Sequence, residues 1–318
     1  MVDVLAEELL PCGEAQISFA DHRQQHADMW RISIDVWDEW DDVERVFELA
    51  HHWSPFIGDG SWPDADMLPL GQLKVHIPEE RRETHFTLEE QKSIMTLWCM
   101  ARSPLMWGGD FLTSSKETFD LLRNSAVLEV QKNSENNRQI YHGYSGEVPG
   151  QRIWFADIPD SRNHYLALFN VTDEPQTVTF EFLEGRYQVQ DLWTDTDLGV
   201  YSESFTRELP AHGSGLYRMS PVKGEVELAD PFPFPYEIDA VSGSFTLRLN
   251  DTVLRNTGMC MNGYDMMRGS RVHSGRKVEC RVPGGQVNVW FQADRESIQI
   301  NTQVQNQTDS TVCRTYCL

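Results

Sequence analysis

The sequence predicts an α/β segment followed by segments built of β-strands alone, and three patterns support that expectation. Through roughly the first 140 residues, apolar side chains recur at helical spacing and alternate with short apolar runs bounded by glycine and proline. From Gln139 to Met219 the period changes to two. Beyond Pro231-Phe232-Pro233-Phe234-Pro235, a segment stiffened by proline, Ser244 to Leu249 and Gln286 to Gln292 alternate again.

In chain order, Asp38 to Trp53 places Trp40, Val43, Val46, Phe47 and Ala50 on one helical face, with acidic residues crowding its start. A loop rich in glycine and proline leads to Trp62 through Leu70. Thr87-Leu88-Glu89-Glu90 reads as a capping box, opening a helix whose Ile94, Leu97, Trp98 and Ala101 face inward. After Pro104, the run Leu105-Met106-Trp107 reads as a buried strand ended by Gly108-Gly109. Ser114 with Glu117 starts a further helix through Leu122. Such β/α alternation suits parallel strands covered by helices.

Arg152 to Ala156, His164 to Val171, Thr177 to Phe182 and Tyr187 to Trp193 are strand-like runs separated by turn residues, the pattern of an antiparallel β-sandwich. The expected division is 1–138 for the α/β part, 139–220 for the sandwich, 221–235 for a proline-rich linker and 236–318 for an additional β-rich module.

Bulk properties narrow the function. With 27 basic and 49 acidic residues the formal charge is 27 − 49 = −22, which opposes binding to nucleic acid or anionic lipid and suits neutral ligands. No run approaches the ~18 apolar residues of a membrane span, and the acidic N-terminus lacks the regions of a signal peptide. The compartment is therefore unknown. The cysteines at 12, 99, 260, 280, 313 and 317 form no zinc-type pair; bridges from Cys260 to Cys280 and from Cys313 to Cys317 compete with reduced, packed thiols. Asn170, Asn250 and Asn306 sit in glycosylation sequons, which matter in a secretory compartment.

Chemistry concentrates in two stretches, Trp30 to Trp40 and Trp62 to Leu68, where carboxylates, an arginine and indoles fall at short intervals. That mixture suits a sugar pocket: indole faces stack on a pyranose, Asp and Arg bond hydroxyls, and a carboxyl serves as general acid or base. The same residues also occur at helix N-termini and in cores for structural reasons. Asp64-Ala65-Asp66 lacks the glycine and distal glutamate of a calcium loop, so no metal is expected.

Four ordered blocks carry a family resemblance over about the first 220 residues: Cys12-Gly13-Glu14-Ala15, His26 to Ser33, Trp62 to Leu68, and Arg102-Ser103-Pro104-Leu105-Met106-Trp107-Gly108-Gly109-Asp110. The chain resembles the melibiase-type α-galactosidases and α-N-acetylgalactosaminidases of glycoside hydrolase family 27. This resemblance implies the C-terminal half of a (β/α)₈ barrel, followed by the family's antiparallel sandwich, which Leu192-Trp193-Thr194 and Leu209-Pro210-Ala211-His212-Gly213 match. It further implies Asp35 as the acid/base carboxylate, Arg31 as the arginine that reaches both the sugar's 2-position and Asp35, and Asp66 with Met67 as pocket-lining residues. Glu14 matches a loop residue near the 2-substituent, and Trp62 and Asp64 join the substrate-binding set.

The family's nucleophile is an Asp in a Lys-x-Asp segment, and no such segment occurs in these 318 residues. The resemblance therefore implies the acid/base half of a retaining site without the attacking carboxylate, which in such sites lies ~5 to 5.5 Å from the acid. A half barrel leaves parallel edges open, a dimerisation or aggregation liability; a truncated chain is the first expectation and a deliberate half-barrel dimer the second. The expected function is α-galactosidase-like hydrolysis of terminal α-galactosyl residues, without cofactor. The alternative is an inactive fragment or a sugar-binding remnant. Galactose is expected over N-acetylgalactosamine, because Glu14 would crowd a 2-acetamido group.

Overall fold

The computed structural model describes residue 15, residues 17–58, 60–142, 150–182 and 186–222, and backbone strands between 236 and 317. Glu14, Cys12 and the Pro231 to Pro235 segment lie outside the described residues, as do the side chains of Cys260, Cys280 and Cys317.

A 3₁₀ turn at Ile17–Phe19 runs into helix α1 (Ala20–His26), which precedes strand β1 (Met29–Arg31). Helix α2 (Trp40–Trp53) buries Val43, Val46, Phe47, Ala50 and Trp53, the stripe its spacing dictates, and sets Asp41 and Asp42 at the positive end of its dipole. Strand β2 (Trp62–Asp64) then pairs with β1 in parallel, Arg31 opposite Asp64. A short antiparallel pair follows, β3 (Gln72–Leu73) with β4 (Arg82–Glu83).

Helix α3 (Leu88–Met100) opens with the expected capping box: the Glu90 N–H donates to Thr87 Oγ1 at 3.2 Å, and the Thr87 N–H to Glu90 Oε2 at 2.7 Å. Helix α4 (Lys116–Leu122) is capped by Ser115, which accepts from the Thr118 N–H at 3.2 Å. Ser114, the expected start, instead accepts from the Gln72 N–H at 3.0 Å and ties this loop to β3. Helix α5 (Ser125–Lys132) starts one turn later under an Asn124 cap.

The run Leu105-Met106-Trp107 is not a buried strand. Its pairing is a single parallel bridge from Leu68 to Trp107, and Met106 is 41% exposed. A buried parallel strand needs neighbours along both edges, and among the described residues this run pairs on one. Parallel pairing among those residues is confined to β1 with β2 and to this bridge.

From Glu135 onward the chain is antiparallel. Strands β5 (Glu135–His142), β6 (Gln151–Asp157), β7 (His164–Asn170), β8 (Gln176–Glu181), β9 (Tyr187–Asp191), β10 (Thr196–Tyr201), β11 (Ser204–Leu209) and β12 (Ser214–Pro221) follow in order. They form a six-stranded sheet, β10-β9-β12-β7-β6-β5, and a two-stranded sheet, β11-β8.

The period of two does not divide core from solvent in the large sheet. Ile153, Phe155, Leu166 and Leu168 pack toward Val178, Phe180 and Phe205 of the small sheet, whereas Trp154, Ala156, Tyr165, Ala167 and Phe169 belong to the core shared with the helices. All seven residues of β7 are therefore buried. Phe47 of α2 meets Phe169 edge-on at 4.9 Å, and the Trp193 indole donates to Thr96 Oγ1 of α3 at 3.0 Å. His212 stacks on Trp40 at 4.1 Å while its Nδ1 lies 2.7 Å from Glu90 Oε1.

Asn170, a sequon residue, is buried, and its amide donates to the carbonyls of Glu174 and Pro210 at 2.8 and 2.7 Å, so its nitrogen holds a turn. Cys99 is a free, buried thiol, which burial pushes up to about 12.

Among the described residues beyond 235 the strand pairing is antiparallel. Strands β13 (Tyr236–Ile238), β14 (Phe245–Leu249), β15 (Thr252–Met261) and β16 (Tyr264–Asp265) form one sheet, with β21 (Arg314–Cys317) against β15. Strands β17 (Ser270–His273), β18 (Lys277–Val282), β19 (Gly285–Ala293) and β20 (Ile298–Asn306) form a second. Among the described residues no helix is long and apolar enough to cross a membrane.

Candidate active site

Because β1 and β2 run parallel, their carboxyl ends lie side by side, and the residues just beyond them share one rim of the molecule. The Ile32 N–H donates to Asp64 O at 2.9 Å, which extends the pairing to the point where both chains turn away. Asp35 follows β1 by four residues and Asp66 follows β2 by two.

Arg31, the last residue of β1, joins them. Its Nη1 lies 3.0 Å from Asp66 Oδ1, and its Nη2 lies 3.4 Å from Asp35 Oδ1 and 3.1 Å from Ser33 O. The two carboxylates differ sharply in setting: the Asp35 side chain is 65% exposed, that of Asp66 12%. A guanidinium between two carboxylates keeps its fork in one orientation, and a proton-transferring carboxyl at the solvent rim stays accessible to a ligand.

Asp66 has φ +85°, a backbone state that side chains rarely adopt. Its N–H donates to Asp64 Oδ1 at 2.9 Å, and its carbonyl accepts from the Trp98 indole at 2.9 Å. The adjoining Ala65 donates to Ser103 Oγ at 3.0 Å and accepts from Ser33 Oγ at 3.1 Å. Asp66 Oδ2 accepts from the Val36 N–H at 2.7 Å.

Asp64 is itself buried. Burial pushes its carboxyl up, against the Asp66 N–H and Arg31, which pull it down, and the Asp66 charge adds to the rise. It braces the backbone. Met67 lies against Gly108, where a Cβ would stand 2.5 Å from its sulfur and the thioether would have to move aside.

Trp62 packs against a second arginine. It enters β2 two residues before Asp64, in register with Met29, and its ring lies beneath the Arg102 guanidinium at 4.8 Å. The exposed indole near Asp35 is Trp37, 39% accessible, with Lys74 Nζ 5.4 Å from its ring centre.

A second brace holds this loop. Asp38, buried, accepts from both terminal guanidinium nitrogens of Arg82 and from the His85 N–H. Burial pushes its carboxyl up, but the Arg82 and His85 hydrogen bonds outweigh it and hold Asp38 below the usual carboxylate range. Sequence reasoning missed Ser33, Ser103, Asp38 and Arg82 as parts of the site. Ser33 and Asp38 stood inside the stretch already singled out, whereas nothing near Arg82 in sequence points to Asp38, 44 residues away.

Strand-end carboxylates joined by an arginine, backed by an antiparallel sandwich, suit the glycoside hydrolases as a class. Residues 12–133 match the family model described as alpha galactosidase A, and residues 149–219 match the alpha galactosidase C-terminal beta sandwich domain. The chain belongs to glycoside hydrolase family 27, the melibiase type.

Among relatives, it is 27% identical to alpha-galactosidase 3 of Arabidopsis thaliana over 199 residues, which is 60% of this chain and 43% of that protein. It is 26% identical to alpha-galactosidase D of Emericella nidulans over 274 residues, 82% of this chain and 39% of that one. A solved β-L-arabinopyranosidase of the same family from Geobacillus stearothermophilus is 34% identical with a TM-score of 0.62, covering 67% of this chain and 49% of its own. The chain thus spans 43% and 39% of the two curated relatives.

Proposed function

We propose that the chain carries the acid/base half of a retaining α-galactosidase-like site, on strands that form part of a (β/α)₈ barrel in its residues 1–138. As a nucleophilic carboxylate outside the residues assigned here bonds to the anomeric carbon, Asp35 protonates the departing glycosidic oxygen; it then takes a proton from the water that displaces that carboxylate. Arg31, Asp66 and Met67 line the sugar's side of the pocket, Asp64 supports them from beneath, and Glu14 meets the 2-substituent. The sandwich, residues 139–220, supports the site by packing on the helices behind it.

The observation that carries this reading is the Arg31 guanidinium spanning Asp35 and Asp66 at the adjacent ends of two parallel strands. A second reading, a sugar-binding chain without turnover, is favoured by the absence of any Lys-x-Asp segment. Among the described residues β1 and Leu105–Trp107 each pair along one edge, and self-association through the other edge is an expected property.

Hydrolysis of p-nitrophenyl α-D-galactoside by the chain alone separates the readings, with the β-L-arabinopyranoside and the α-N-acetylgalactosaminide as competitors. Turnover lost in Asp35→Asn supports the enzyme. Galactose binding without turnover, lost in Arg31→Ala, supports the second reading. A chain that neither turns over nor binds these sugars contradicts both.

A further inference from the structure

We propose that Asp66 is a positioning residue for Asp35: Asp64 and Trp98 lock its backbone so that its carboxylate fixes the peptide following the acid/base residue. The inference rests on the active-site reading above and assigns Asp66 a task beyond lining the pocket.

The starting point is the backbone. An aspartate at φ +85° persists only where its surroundings over-determine it. Asp64 of β2 accepts the Asp66 N–H, Trp98 of α3 donates to the Asp66 carbonyl, Ser33 donates to the Ala65 carbonyl, and Ser103 accepts the Ala65 N–H. All four side chains are buried, where such bonds are strong and costly to lose.

Held this way, the carboxylate is aimed inward rather than outward. Oδ2 takes the Val36 N–H at 2.7 Å, and Oδ1 faces Arg31 at 3.0 Å. Both oxygens therefore have protein donors, and both donors lead to Asp35: one through the peptide bond between residues 35 and 36, the other through the Arg31 contact at 3.4 Å. Asp35 itself stands largely in solvent. Without those two arms, ordering its loop and side chain would depend on weak, exposed contacts. The strained turn thus keeps an exposed acid in one place without burying it.

The test uses the full chain labelled with ¹⁵N and ¹³C. In the wild type, a through-hydrogen-bond coupling between the Val36 amide nitrogen and Asp66 Cγ is expected. Asp66→Gly accepts φ +85° without strain while removing the acceptor; it accelerates Val36 amide exchange at least about tenfold and lowers backbone order at Asp35. Asp66→Asn keeps an acceptor and restores part of the protection. Trp98→Phe removes the indole N–H together with part of a buried ring; it accelerates Val36 exchange about threefold or more while β7 amides stay protected.

Amides of β7 stay protected in every folded variant. If Asp66→Gly does not fold, the wild-type coupling and Trp98→Phe decide. Absence of the coupling, Val36 exchange within about twofold of wild type in Asp66→Gly, or an Asp35 backbone as ordered in that variant as in the wild type overturns the proposal. Galactose separates this from the reading beneath it. A chain that shows the coupling but neither binds nor hydrolyses galactosides keeps the lock and loses the active site, and one that binds galactose without the coupling does the reverse.

Discussion

The strand-end rim and the sandwich are held together by opposite means. Around Asp66 the contacts are polar and few: two hydroxyls, an indole N–H and a buried carboxyl fix one strained turn. In the sandwich the contacts are apolar and many, and β7 is buried along its whole length. Loss of apolar burial there lowers stability without touching chemistry, whereas loss of one polar bond at the rim costs less stability than a core truncation but misplaces a reacting group. The apolar packing between the two sheets of the sandwich and the proposed chemistry thus reside in different regions.

Four substitutions probe that separation. Phe155→Ala, between the two sheets, is expected to cost about 3–5 kcal/mol in urea unfolding while leaving galactose affinity of the folded fraction unchanged; a loss of affinity there would break the separation. Asp38→Ala follows at about 2 kcal/mol, since the His85 N–H and Arg82 lose their partner. Its effect depends on pH. The folded carboxyl lies below its unfolded value, so Asp38 contributes stability above the unfolded pKa and loses it as pH falls through the folded one. The gap between wild type and variant should therefore be full near neutral pH and narrow progressively below about pH 4.

Arg31→Ala removes a partly exposed ion pair, and about 1 kcal/mol or less of stability is expected to go with it. Galactose binding by NMR titration should weaken about tenfold or more. Asp35→Asn is the smallest change in stability, within about 0.5 kcal/mol because the side chain is exposed. Any aryl galactoside turnover by the chain should fall by about 10²-fold or more. Substrates with good leaving groups should suffer least, since they need the proton least.

Local signals made much of the fold legible. The α2 stripe and the Thr87/Glu90 capping box are dictated by spacing, and the helices carry them where expected. Adjacent Ser114 and Ser115 offer the same hydroxyl, and only the fold decides that the first meets the Gln72 N–H while the second caps α4. The period of two in the sandwich misdirected in a subtler way: it sorts residues between two cores rather than between core and water, which becomes visible only once α2 and α3 cover the second face.

For the site, a sequence motif can place Arg31, Asp35 and Asp66 but cannot show that Trp62 lies under Arg102. Nor can it show that Asp66 adopts φ +85°, which depends on Trp98, 32 residues away.

The most direct measurement is a galactose titration of the labelled chain, followed at each amide and side chain. The account predicts saturable shifts centred on Arg31, Asp35, Asp66 and Met67, with β7 and its neighbours silent. Shifts that are absent, or that gather on the sandwich while the ends of β1 and β2 stay still, would contradict it.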